Sequence, residues 1–128
     1  MFHNTEFHPE ANVYIITFQT GWHTKEGTQE RVNIVRRALQ AAEEPLTLIF
    51  DLTYITMRFD GVMRATNSLA RGQDAPFRHP MCKKIVVVTT NTLVHHVAHG
   101  LRTETFGKLP VLVHKSQEEA WEEARKPD

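Results

Sequence analysis

A chain of 128 residues, 41% hydrophobic and 23% charged, has the size and make-up of one globular domain around a single core. Fifteen Lys plus Arg balance fifteen Asp plus Glu, and this zero net charge speaks against a nucleic-acid binder and weakens the self-repulsion that keeps copies apart. One cysteine, Cys82, allows no internal disulfide, and the longest apolar run, residues 85–88, is far short of a membrane span.

In chain order, the opening MFHNTE has neither a basic nor an apolar leader character, which fits a cytoplasmic location. Residues 2–8 read as an edge strand, PEAN at 9–12 as a turn, and VYIITF at 13–18 as a strand rich in β-branched and aromatic residues. Gly21 and Gly27 bracket a polar loop that carries Trp22. From Thr28, the residues Val32, Val35, Leu39 and Ala42 recur on one helical face, and Pro45 ends it. Residues 46–52 (LTLIFDL) form a near-continuous apolar run, as in a strand buried on both faces of a parallel sheet. Asp60 is placed to cap a helix that carries Val62, Met63, Leu69 and Ala70 as far as Gly72, with Phe59 as its hydrophobic staple. GQDAPFRHP is a loop, and KKIVVVTT is a second buried strand. A helix follows with Val94, Val97 and Leu101 as its apolar stripe, then a short strand LPVLVH. Ser116 with Glu119 three residues on marks the capping box of the last helix. The order β-β-α-β-α-β-α-β-α implies an α/β fold over 1–128. Its sheet is expected to be mixed, mostly parallel, with about five strands and four helices. Leu48, Phe50, Val86 and Val88 should be buried in adjacent strands.

LTLIFDLTYIT resembles the central strand of the STAS-like fold, that of bacterial anti-sigma-factor antagonists and related STAS/SEC14-type proteins. The segment from KKIVVVTT through SQEEAWE is similar to the C-terminal half of that fold, so the likeness covers roughly residues 46–124. The first 45 residues match in element order alone. The resemblance implies a regulatory module whose loop after the central strand holds a phosphorylatable serine. Aligned without a gap, Phe59 and Asp60 stand at the family's aspartate and serine; shifted by one, Asp60 and Gly61 do. Either way the hydroxyl is missing, and the nearest ones, Thr53, Thr56 and Thr66, lie elsewhere. The same loop sits where ligands enter open α/β sheets, which makes Thr56, Arg58, Asp60 and Gly61 candidate binding residues.

Other chemistry is sparse. His95 and His99 in HHVAH are four apart, a spacing able to hold a metal, but no third ligand or catalytic Glu accompanies them. They point away from the apolar stripe and read as a solvated or interface face, open to pH-dependent association. Cys82 beside Lys83 and Lys84 reads as an inert half-buried thiol rather than a nucleophile. Arg36, Arg37, Arg58, Arg64 and Arg71 read as solvated faces. Trp121 reads as core, and Trp22 as an exposed anchor for a partner. The expectation is a non-enzymatic regulatory or protein-interaction module without cofactor, metal, nucleic-acid or membrane partner, paired as a homodimer. A carrier of a small apolar or lipid-like ligand is the alternative, and a histidine-dependent metal enzyme comes third.

Overall fold

The computed structural model describes residues 3–19, 25–56, 58–72, 74–104 and 107–126; Trp22 lies outside them. The elements are β1 (His3–His8), β2 (Val13–Phe18), α1 (Lys25–Ala41), β3 (Leu46–Asp51), α2 (Phe59–Ala70), a 3-10 turn (Pro76–Arg78), β4 (Cys82–Val88), α3 (Thr92–Leu101), β5 (Val111–His114) and α4 (Gln117–Arg125). The expected α/β architecture with a mixed five-stranded sheet and four helices is what the described residues form.

The strands lie side by side in chain order, β1-β2-β3-β4-β5. β1 runs antiparallel to β2 through a short turn in which Asn12 takes a left-handed φ of 52°. Asparagine tolerates that conformation better than most residues with a Cβ. The other pairings are parallel. Crossovers of one hand between neighbouring parallel strands put successive helices on one face. The main core follows from this. Ile16 and Phe18 of β2, Leu48 and Phe50 of β3, and Ile85 and Val87 of β4 pack under Val35 and Leu39 of α1, Val62 and Leu69 of α2, and Val94 and Leu101 of α3. The alternate strand residues Val13, Ile15, Ile49, Val86 and Val88 point to the other face, where Ala120 and Ala124 of α4 cover them. All six residues of β3 are buried, which is why its sequence does not alternate. Leu48, Phe50, Val86 and Val88 are all buried in adjacent strands, but the first two face α1–α3 and the last two face α4.

Several local expectations shift. α1 begins at Lys25, so Gly27 lies inside the helix rather than at the end of a loop. The loop 72–80 contains the 3-10 turn, and its Phe77 enters the core with its ring 5.5 Å from that of Phe50. Ser116 does cap α4 by accepting from the Glu119 amide, but the Glu119 carboxylate reaches the Lys115 amide instead of closing back on Ser116. Trp121 is half-buried at the edge of the α4 core, with the His8 ring set edge-on at 4.9 Å and the Arg125 guanidinium over it. Among the described residues no helix is long and apolar enough to cross a membrane.

Candidate functional site

The C-terminal ends of β2, β3 and β4 meet at one edge of the sheet, and residues 52–58 leave β3 there. Asp51, 4% exposed, fixes their start. Its Oδ1 accepts from the Thr53 amide at 2.9 Å, and its Oδ2 accepts from the Gln117 side chain at 2.9 Å. The first bond is an Asx-type turn; the second ties the loop to α4, 66 residues away. The Leu52 amide still donates to Val88, and Ile55 folds back to the Leu52 carbonyl.

Beyond this turn Thr56 and Arg58 are exposed. Arg58, not Asp60, is the N-cap, with φ −105° and ψ 166° and no side-chain cap bond. The helix opens at Phe59, so Asp60 lies inside the first turn, and its carboxylate acts on the helix dipole rather than as a cap. Phe59 is 66% exposed, which is incompatible with a staple buried against the helix. Tyr54, at the other end of the loop, is 71% exposed. Between them Thr56, Arg58, Asp60 and Gly61 line one open hollow of about 580 Å³, so the four loop residues singled out from the sequence do share a site. A second hollow of about 580 Å³ lies on the α4 side, lined by Thr17, Asp51, Tyr54 and Gln117 among others.

Neither His95 nor His99 lines these hollows, and the two differ in their surroundings. Burial of Ala98 turns the α3 stripe to Val94, Ala98 and Leu101, leaving Val97 on its flank. At about 100° per residue this brings His95 to the margin of the core rather than its far side. His95 is half-buried and donates from Nε2 to the Thr89 carbonyl at 3.1 Å, while His99 is exposed. Among the described residues no three His, Cys, Asp or Glu side chains are grouped as a metal site. Cys82 is half-buried, and burial pushes its thiol up to about 12, so the thiolate a nucleophile needs is not formed near neutral pH.

Two features escaped the sequence pattern. Arg31, 3% exposed, lies on α1 with its guanidinium 5.9 Å from the centre of the Phe18 ring. Burial, then Arg64, pushes it down to about 10. It borders an apolar cavity of about 70 Å³ beneath α2 and α3, walled by Phe50, Val62, Leu69, Phe77 and Leu101 among others. On the opposite face, His114 and Lys84 converge on Glu123 of α4. Each of these joins residues far apart in the chain and leaves no local periodicity. No protein-family model matches the chain, and no curated protein matches it.

Proposed function

We propose that this chain is a non-enzymatic regulatory module of STAS-like type that docks on another protein through residues 53–60. The observation that carries the reading is the pair Tyr54 and Phe59, 71% and 66% exposed, on the same loop and helix start whose Thr56, Arg58, Asp60 and Gly61 line a hollow. Two large aromatic side chains held in water beside a polar hollow are what a docking surface offers, because burying them supplies most of the binding free energy. The base of the loop is fixed by Asp51, so the partner meets a partly ordered surface. The strand order and the site at the C-terminal sheet edge are compatible with a STAS-like module, and the loop offers Asp60 or Gly61 in place of the serine. Zero net charge favours self-association as a homodimer.

The carrier reading stands behind this one. The interior cavity, about 70 Å³, holds a few heavy atoms, whereas ligand pockets run to roughly 300–1,000 Å³. The metal-enzyme reading stands further back, because among the described residues no three His, Cys, Asp or Glu side chains are grouped to hold a metal.

The test is the double variant Tyr54→Ser, Phe59→Ser. Both sites are exposed, so stability should hold within about 0.5 kcal/mol. Affinity for a partner recovered by crosslinking in the native cell should fall by roughly 30-fold or more, the effect of losing one hot-spot side chain of about 2 kcal/mol. Unchanged affinity with a folded variant would remove the loop from the interface.

A further inference from the structure

At the other end of the sheet, where β2 and β3 begin, an open groove of about 780 Å³ separates the β1–β2 hairpin from the end of α1. Its apolar wall is made by Phe7, Tyr14, Ala38, Ala42 and Leu46. Phe7 is 49% exposed, and its ring lies 6.3 Å from that of Tyr14. The rim is acidic. Glu43 and Glu44 are exposed and follow α1 directly, and the Asn12 side chain donates to Glu44 Oε2 at 2.9 Å, which holds that carboxylate at the groove. The C-terminus of α1 adds its own partial negative charge, and its last turn has no basic residue to offset it. Among the described residues neither Glu43 nor Glu44 forms an ion pair with Lys, Arg or His.

We propose that this groove receives an extended segment of a partner protein that carries Lys or Arg beside an apolar anchor. The apolar wall supplies contact area for the anchor, and the aromatic rings also accept a cation over their faces. The carboxylates and the helix end select a positive neighbour through complementary charge. The same negative pole repels nucleic acid and anionic bilayers. The site is separate from residues 53–60 and stands without them, since the two lie at opposite ends of the strands.

The experiment titrates the isotope-labelled full chain with an acetylated, amidated peptide alternating Lys with Leu and Phe, followed by amide NMR shifts. A second peptide with Glu in place of each Lys is the control. The basic peptide should move the amides of Phe7, Tyr14, Ala42, Glu43 and Glu44 and leave those of 53–60 in place. Affinity should fall about fivefold to tenfold in Glu43→Gln, Glu44→Gln and fall again with added salt. It should not change in Tyr54→Ser, Phe59→Ser. Absence of groove shifts at millimolar peptide overturns the proposal, as does equal response to the acidic peptide or equal affinity in the Gln variant. Groove shifts that grow with protein concentration alone would make the surface a contact between copies and overturn it as well.

Discussion

Replacing Asp51 by Ala tests how the loop is held. The substitution removes both acceptors of a buried carboxylate, one serving the Thr53 amide and one the Gln117 side chain, each at 2.9 Å. Hydrogen bonds to a charged group contribute about 1.5–3 kcal/mol each. Part of that returns, because Thr53 and Gln117 are exposed and can bind water, and because the carboxylate no longer has to be held out of solvent. The net loss should be about 1–3 kcal/mol, read as a lower urea midpoint at constant slope. Asp51→Asn keeps an acceptor for the Thr53 amide, and Gln117 can turn its own oxygen to meet the new amide. That variant should therefore lie within about 1 kcal/mol of the native protein. Hydrogen exchange at the Thr53 amide should speed up in the Ala variant and much less in the Asn variant. Equal cost for both, or none for either, would show that these two bonds do not hold the loop.

Phe50→Ala should cost about 4–5 kcal/mol in the same assay, at the upper end for such changes. It removes ring contacts with Phe18 and Phe77, both at 5.5 Å, and enlarges a cavity already there; a cost near zero would remove β3 from the core. Gly72 and Gly107 both have positive φ, 92° and 81°, so Ala at either should cost about 1–2 kcal/mol in backbone strain. A Cβ on Gly107 would meet Nη1 of Arg78 at 2.6 Å, the far end of an exposed side chain that can swing aside, and at Gly72 nothing is within 4 Å, so the two variants should melt at similar temperatures, and a much lower melting point for one would show a cost beyond backbone strain. The Glu123 carboxyl sits below its usual range: burial alone would raise it, but the bond from His114, then Lys126 and Lys84, outweigh that. A depressed carboxyl stabilises the fold above its unfolded value of 4.5 and loses that contribution as pH falls through the folded value. Glu123→Gln should accordingly melt below the native protein at neutral pH, with the gap closing in acid; a gap independent of pH would refute the linkage.

The strands and helices were legible because their signals are local. The unbroken run LTLIFD marks a strand covered on both faces, and Ser116 with Glu119 marks a helix start. The site was legible only in part. Thr56, Arg58, Asp60 and Gly61 do gather around one hollow, but Asp60 as the cap was a misreading: Arg58 took the cap geometry and the helix began two residues earlier than its capping chemistry suggested. Tyr54 and Phe59 gave no warning of their exposure, since an aromatic residue beside a buried strand is more often core. The Asp51–Gln117 bond and the acidic groove were out of reach, because sheet pairing and helix packing create them between distant segments. The position of His95 turned on Ala98, a residue too small to stand out in a stripe of Val and Leu.

Native mass spectrometry of the protein isolated from its own cells tests the central claim most directly. The account predicts a polypeptide complex, with a partner protein or a second copy, that is retained by the native chain and lost in Tyr54→Ser, Phe59→Ser while that variant stays folded. A bound lipid or metal adduct that persists in the double variant, with no protein complex sensitive to the two substitutions, would contradict it.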